Sequence, residues 1–340
     1  MKKYLNTLYV TTQNAYLYKE GQSVVVSIKK EVRLRVPIHT LDGIICFGAI
    51  SMSPFLMHHC AENNVSVSFL SEYGKFLARV QGPISGNVLL RREQYRRADS
   101  PDASAQIARH MLIGKIAKAR TVLRRALRDH GENEALKKAE SRLSQYIQRL
   151  KTPLPINELR GNEGEAAATY FSVFSQLITM DEKAFTFSGR NRRPPTDPVN
   201  ALLSFVYTLL LHDCRSALES VGLDPFVGYL HTDRPGRPSL ALDLMEEFRA
   251  FLADRLVLSL INRRQIKPRD FINSAGGAVT MTDAARKILI ATWQKRKQEE
   301  ITHPYLEEKC KIGLLPHLQA QLLARYLRSD LDAYPPFIWR

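Results

Sequence analysis

Hydrophobic and β-branched residues alternate with polar ones, or run together, in short stretches up to about residue 82. These stretches are typical of strands that bury one face or both, and they cover residues 5–12, 23–28, 31–36, 40–47 and 65–70. One helix is expected among them at 55–62, because Ser53 and Pro54 are a favourable N-cap and first helical residue. We therefore predict a small N-terminal β domain over residues 1–82.

After residue 100 the apolar positions recur three and four residues apart, which is the period of an amphipathic helix. Seven stretches share this pattern: 104–128, 134–150, 163–177, 199–220, 239–261, 284–297 and 314–327. Gly276 and Gly277 fit the turn of a short hairpin. The prediction is an α+β protein, in which a linker over residues 83–100 joins the β domain to a larger all-α catalytic domain over residues 101–340.

The chain is strongly basic, with a formal net charge of +15 over 340 residues. Part of the excess lies in residues 91–128, where eleven Lys or Arg accompany only three Asp or Glu. Such a basic stripe can neutralise the backbone phosphates of a nucleic acid. A solvated helix face has a similar composition, so the stripe alone leaves both interpretations open.

Other features bear on the class and compartment of the protein. No run of eighteen apolar residues is present, and the N-terminus lacks the apolar stretch of a signal peptide. We therefore expect a cytoplasmic protein that has no membrane partner. The sequence contains no Walker-type phosphate loop and no nucleophile elbow. Scattered cysteines favour free thiols over disulfides or a zinc ribbon, and they are Cys46, Cys60, Cys214 and Cys310.

Three short segments contain acidic or imidazole side chains next to apolar, helical patterns. Asp243 and Glu246 are three residues apart and project from one face of a predicted helix. His231 precedes that helix, and the intervening loop is long enough to fold it back toward the first turns. Glu163 lies on an earlier helix, where we expect Gly164 and the alanines that follow to allow close helix packing and an inward carboxylate.

Two carboxylates with one imidazole suit Mg²⁺ or Mn²⁺, and a divalent metal there would assist phosphodiester transfer. The alternative is that Glu163 and Glu246 are solvated charges and that His231 is a loop histidine with its hydrogen bonds satisfied. The pair His212-Asp213 resembles part of a phosphohydrolase site, but the other ligands of such a site are not evident in the sequence.

Six segments of the sequence resemble a known family when taken in order. They are residues 68–79, 86–95, 159–171, 191–204, 228–231 and 239–246. With these segments the chain resembles the CRISPR-associated integrase, the metal-dependent "protein one" of spacer acquisition, and it looks closest to the type I-C form. The resemblance extends essentially from end to end.

The resemblance implies an N-terminal β domain that forms a homodimer and a helical domain that holds a divalent metal, Mg²⁺ or Mn²⁺. The metal-binding and catalytic positions of the family fall on Glu163, His231 and Glu246, while Asp243 matches a nearby acidic position that supports them. The family also implies a partner, the small CRISPR-associated "protein two".

The function implied is insertion of short foreign DNA into the CRISPR array. A 3′-hydroxyl of the fragment attacks a phosphodiester at a repeat boundary, so no ATP is needed. We expect double-stranded and branched DNA as substrates. The candidate phosphate contacts are Arg190, Arg192 and Arg193 together with Arg91, Arg92, Arg124 and Arg125. The alternatives are a metal-dependent, structure-specific DNA nuclease and a non-catalytic DNA-binding scaffold.

The C-terminal residues 334–340 are rich in aromatic side chains. Exposed aromatics are good interface anchors, so this tail could dock a partner. The favoured interpretation is that it packs back on the core of its own domain.

Overall fold

The alternating stretches at the start of the chain form strands in two four-stranded sheets. The strands are β1 Thr7–Val10, β2 Tyr16–Glu20, β3 Ser23–Ile28, β4 Glu31–Pro37, β5 Gly43–Phe47, β6 Ser51–Met52, β7 Ser66–Leu70 and β8 Phe76–Val80. One sheet has the order β4-β3-β2-β6 and the other the order β1-β5-β7-β8. Helix α1, Pro54–Glu62, begins where expected, because the Ser53 side chain accepts a hydrogen bond from the Leu56 N–H.

This structure, a computed structural model, describes residues 7–41, 43–63, 65–72, 76–80, 82, 88–180, 185–191 and 194–339. The chain divides into two compact units. The first comprises Met1–Gly86 and Arg286–Glu299, and the second comprises Asn87–Ala285 and Glu300–Arg340.

Side chains from both sheets and from α1 form the core of the first unit. Leu17 and Val24 come from one sheet, Ile44 and Val67 from the other, and Leu56 from the helix. Strand β4 lies at the edge of its sheet and is exposed along nearly its whole length. A distant segment joins this unit, since Gln294 donates a hydrogen bond of 3.0 Å to the Thr7 carbonyl.

The second unit is mainly helical. Its helices are α2 Val88–Asp99, α3 Pro101–His130, α4 Glu134–Arg149, α5 Ile156–Ser172, α6 Pro198–Ser220, α7 Ser239–Glu246, α8 Arg255–Asn262 and α10 Leu315–Leu327, while most of α9, Asp283–Gln298, belongs to the first unit. Strands followed by helices confirm the predicted α+β class.

Two helical features of the second unit differ from the expectation, and one of its two hairpins was expected. Helix α2 lies inside the stretch expected to be a linker. The predicted helix over 239–261 is interrupted by a π-helical segment, Arg249–Asp254. Two short hairpins join the helices: β9 Phe271–Asn273 with β10 Val279–Met281, as predicted around Gly276, and β11 Glu300–Thr302 with β12 Lys309–Lys311.

Two further expectations concern the thiols and the membrane. The four cysteines are buried and free, as the sequence predicted. Within the described ranges, none of the helices combines the length and the apolar composition needed to cross a bilayer.

Candidate active site

Two acidic side chains from different helices converge on one lysine. Glu163 lies in the middle of α5, and Glu246 is the last residue of α7. The Lys115 ammonium, from α3, hydrogen-bonds to Glu163 Oε1 and lies 2.9 Å from Glu246 Oε2. The structure therefore brings two of the three expected ligand residues around a single cation.

The Glu246 carboxylate is buried and surrounded by positive charge. Its side chain is only 2% exposed, and its Oε1 lies 3.3 Å from Arg249 Nη2. Burial by itself would raise the pKa of Glu246, but Arg249, Lys115 and His231 lower it to about 2. The carboxylate is therefore ionised at neutral pH and able to bind a cation.

Asp243 organises the segment that contains His231. Its Oδ2 accepts hydrogen bonds from the backbone N–H groups of Tyr229 and Leu230, at 2.6 and 2.9 Å. Its Oδ1 accepts from the backbone N–H of His231 at 3.0 Å and lies 2.6 Å from His231 Nδ1. Because a carboxylate can only accept, Nδ1 is the donor of this hydrogen bond, and Nε2 is the ring nitrogen that is not engaged by Asp243.

Two other residues fix the same segment. A Cβ on Gly228 would lie 2.8 Å from Asp243 Oδ2 and 2.8 Å from the backbone carbon of Ser239, so only glycine allows this close approach. Arg160 donates a hydrogen bond of 2.8 Å to the Leu230 carbonyl. Since Arg160 is three residues before Glu163, this bond ties the helix of Glu163 to the segment of His231.

Helix α2 braces the loop that leads into this segment. The buried Gln94 donates to the carbonyls of Asp224 and Val227, at 2.8 and 2.9 Å. Arg91 donates to the Gly222 carbonyl at 3.1 Å. Part of the basic stripe therefore supports a loop of its own unit.

The expectation about Gly164 is wrong. Among the described residues, no atom lies within 4 Å of a Cβ placed on Gly164, so none of their helices packs against it. Glu163 is directed to its partners by the Lys115 ion pair rather than by close packing at the glycine.

The donor set suits a hard divalent cation, although no three His, Cys, Asp or Glu side chains of the described residues are already gathered as a metal cluster. Glu246 Oε2 is buried, and among the described residues the group that approaches it is the Lys115 ammonium, at 2.9 Å. A carboxylate oxygen has two lone pairs, so this oxygen can also bind a metal ion. Carboxylate oxygens with a carboxylate-oriented imidazole are a common ligand set.

The back of α7 is anchored by the C-terminal tail. Glu247, next to Glu246, is fully buried and accepts hydrogen bonds from the Tyr334 hydroxyl and, at 2.6 Å, from the Phe337 N–H. The buried Lys118 donates to the Trp339 carbonyl. The expectation that the tail packs on the core of its own domain is confirmed.

A second buried polar group adjoins Arg249. The Arg249 guanidinium lies over the Tyr207 ring, 5.0 Å from its centroid. The Tyr207 hydroxyl donates to Asp254 Oδ1 at 2.6 Å. Burial raises the pKa of Asp254 to about 6, against the opposing effect of the Tyr207 hydrogen bond.

The arginines expected at DNA occupy different settings. The Arg190 guanidinium hydrogen-bonds to Asn200 and lies over Tyr207, and Arg91 supports the loop described above. Arg92, Arg124 and Arg125 are exposed, and Arg125 lies 3.2 Å from Asp129. Arg192 and Arg193 fall outside the described residues. Contact of these arginines with DNA stays a prediction.

The sequence interpretation missed Lys115, Arg249 and Glu247. Lys115 and Lys118 were counted in the basic stripe, but both point into the helical unit. A lysine among apolar neighbours on the buried face of α3 was the available signal. The inward direction of Arg249 depends on the π-helical segment, which the apolar period does not reveal.

Comparison with known proteins identifies the family to which this chain belongs. The family model described as "CRISPR associated protein Cas1" matches residues 8–295, and the strand-then-helix order is that of solved Cas1 structures. The chain belongs to the Cas1 family.

Individual relatives agree with this assignment. The CRISPR-associated endonuclease Cas1 1 of Chlorobaculum tepidum is 60% identical, and the alignment covers 100% of both chains. A solved structure, "Casposase bound to integration product", is 25% identical with a TM-score of 0.85, over 99% of this chain and 95% of the other. A chain of the "Cas6-RT-Cas1--Cas2 complex" is 23% identical with a TM-score of 0.82, over 98% of this chain and 36% of the other. The protein is accordingly an enzyme, a nuclease and integrase of CRISPR adaptation.

Proposed function

We propose that this enzyme is a metal-dependent DNA integrase whose metal is held by Glu163, His231 and Glu246. The observation that carries the proposal is the convergence of Glu163 and Glu246 on one cation. Asp243 supports the site by orienting the His231 ring rather than by binding metal itself. A divalent metal bound there would polarise the scissile phosphate and stabilise the departing oxygen.

The residues around these ligands have separate tasks in the proposed reaction. Asp243 holds His231 so that Nε2 faces away from it, and Arg160 keeps the segment of His231 at a fixed distance from α5. Arg249 balances the buried Glu246 charge. This preorganisation reduces the movement required when the reacting groups meet.

The proposed reaction is strand transfer. The 3′-hydroxyl of a short DNA fragment attacks a phosphodiester at a repeat boundary, a new P–O bond forms, and the old P–O bond breaks to release a 3′-hydroxyl. One phosphodiester replaces another, so the reaction requires no ATP. Water as the nucleophile at the same site would give the nuclease reaction.

We further propose Mg²⁺ or Mn²⁺ as the metal and double-stranded and branched DNA as substrates. The casposase structure, which is described as bound to an integration product, supports the DNA assignment. Arg92, Arg124 and Arg125 are exposed and therefore available to the phosphates of DNA. The net charge of +15 also favours binding of a polyanion.

The proposed protein partners are a second copy of the chain and Cas2. The 23% identical structure is described as a complex that includes Cas2. A likeness of that degree indicates the fold, so the Cas2 assignment here rests on family membership. The exposed apolar residues of edge strand β4 support a homodimer through the first unit.

The decisive variant is Glu163→Gln, which keeps the size of the side chain and removes its charge. We expect strand transfer with purified Cas2 and Mn²⁺ to fall by about a hundredfold or more, because a metal ligand is lost, while DNA affinity is retained. The matched control is Glu165→Gln on the same helix, whose side chain is 61% exposed, and it should join DNA at the wild-type rate.

The assay also separates the alternatives. Joined strands that disappear in chelator support the proposal, whereas cut strands without joined ones favour a nuclease. DNA binding with neither product favours a scaffold. Undiminished joining by Glu163→Gln would refute the assigned site.

A further inference from the structure

Lys115 occupies an unusual position for a member of a basic stripe. Its side chain is 14% exposed and it contacts both Glu163 and Glu246. These two carboxylates come from α5 and α7, and Lys115 comes from α3, so three helices meet at its ammonium. The position between two convergent carboxylates is the one in which any cation would bind.

The charges at this point are already balanced. Glu163 and Glu246 supply two negative charges, while Lys115 and Arg249 supply two positive ones within 3.3 Å of Glu246. A divalent ion added to this arrangement would bring two positive charges next to two existing ones. Like charges at such separations repel strongly where water is scarce.

An ammonium and a metal ion also bind through the same lone pairs, those of the carboxylate oxygens. Lys115 Nζ is hydrogen-bonded to Glu163 Oε1, so one carboxylate oxygen of this proposed ligand is already engaged by an ammonium. Arg249 approaches Glu246 through the other oxygen, Oε1, and leaves Oε2 to the site. Of these two cations, Lys115 is therefore the one whose departure opens the space between the ligands.

We propose that Lys115 is an internal counter-ion that competes with the divalent metal for Glu163 and Glu246, so that metal binding requires its ammonium to leave. This inference rests on the metal site assigned under the proposed function. In the absence of metal Lys115 stabilises the buried Glu246 carboxylate and the partly exposed Glu163 carboxylate, and it thereby sets the metal concentration at which the site fills.

The test is the Mn²⁺ dissociation constant measured by calorimetry on the full chain. In Lys115→Met the competing charge is gone, and we expect Mn²⁺ to bind about tenfold or more tightly, the scale on which surrounding groups tune metal affinity. Lys138→Met is the matched control, because Lys138 is an exposed lysine on α4. It removes the same charge and should leave the constant unchanged.

Thermal unfolding of the same variant is a second test. Lys115→Met is expected to gain Mn²⁺ affinity but to lose stability in the absence of metal. Without metal, Lys115→Met should melt at a lower temperature than wild type, because Glu246 remains buried with less compensation. With saturating Mn²⁺ the melting temperature should rise more in the variant than in wild type. An equal dissociation constant and an equal rise with metal would overturn the proposal.

Failure of this inference is distinguishable from failure of the proposed site. If wild type binds Mn²⁺, Glu163→Gln does not, and Lys115→Met binds it no better than wild type, the metal site stands and the Lys115 proposal falls. If Glu163→Gln binds Mn²⁺ as tightly as wild type, the proposed site falls and the Lys115 proposal falls with it.

A measurement on wild type covers the case in which Lys115→Met does not fold. Acetylation of lysines by an amine-reactive ester, quantified by mass spectrometry, reports whether the Lys115 amine is engaged. Saturating Mn²⁺ should increase Lys115 labelling several-fold and leave Lys138 unchanged. Unchanged or reduced labelling of Lys115 would contradict the proposal.

Discussion

At the scale of single residues, the structure gives Asp243 and Glu246 different tasks. Both are acidic, buried and on one helix, and the sequence pattern treats them alike. Asp243 is occupied by three backbone N–H groups and by the imidazole of His231. Glu246 instead faces Lys115 and Arg249. Only the positions of their partners distinguish a ligand from a supporting carboxylate, and the sequence does not contain those positions.

Asp254 provides a prediction at this scale. Burial raises the pKa of this carboxyl from 3.8 to about 6 in the folded protein. A raised acidic pKa contributes stability that is fully present below the unfolded pKa and is lost as pH rises through the folded one. Between about pH 4.5 and about pH 8, wild type should lose about 2 kcal/mol of unfolding free energy relative to Asp254→Asn.

Urea unfolding of both proteins across this range measures the difference. The supporting result is an Asn variant whose stability, relative to wild type, increases as pH rises. Parallel pH profiles, or a relative stability that decreases, would contradict the burial and ionisation described for Asp254.

At the scale of elements, short segments bring the site together. The 228–231 segment is held by Asp243 from one side and by Arg160 from another, and α7 is anchored at its back by the tail through Glu247. The apolar period predicted the helices. It did not predict the π-helical segment over Arg249–Asp254, because that change of register depends on tertiary contacts.

Replacement of Gly228 tests the segment. In Gly228→Ala the new Cβ would collide with Asp243 and with the backbone of Ser239, so the segment must shift and His231 must move with it. We expect Mn²⁺ affinity to fall by about tenfold or more, as measured by calorimetry.

The control for Gly228→Ala is another glycine of the same unit. Gly161 lies inside α5, and a Cβ there meets no atom of the described residues within 4 Å. Gly161→Ala should therefore leave Mn²⁺ affinity unchanged and stabilise the protein by up to about 1 kcal/mol. Equal Mn²⁺ affinities in the two alanine variants would show that the close approach at Gly228 does not position His231.

At the scale of the whole molecule, the order of strands and helices could be predicted from the spacing of apolar residues. That spacing is two residues in strands and three to four in helices. The association of Arg286–Glu299 with the first unit could not be predicted, because no local pattern records a contact between distant segments. The basic stripe illustrates the same limit. Exposed Arg124 and buried Lys118 look equivalent in the sequence, although one faces solvent and the other donates to the Trp339 carbonyl.

Assembly gives a prediction at this scale. Val32 and Leu34 of edge strand β4 are 51% and 42% exposed, and exposed apolar positions on an unpaired edge favour association. Leu34→Asp should convert the proposed homodimer to monomer in light scattering coupled to size exclusion. Ile272→Asp, on an equally exposed apolar residue of β9 (56%), should remain dimeric. A dimeric Leu34→Asp would exclude this surface.

The proposed chemistry depends above all on Glu163, His231 and Glu246 binding one divalent metal. Anomalous diffraction from crystals soaked in Mn²⁺ locates that metal directly. We predict one peak within ligand distance of a carboxylate oxygen of Glu163, of His231 Nε2 and of a carboxylate oxygen of Glu246. A structure with Mn²⁺ bound elsewhere, and none between these three residues at saturating metal, would contradict the assignment.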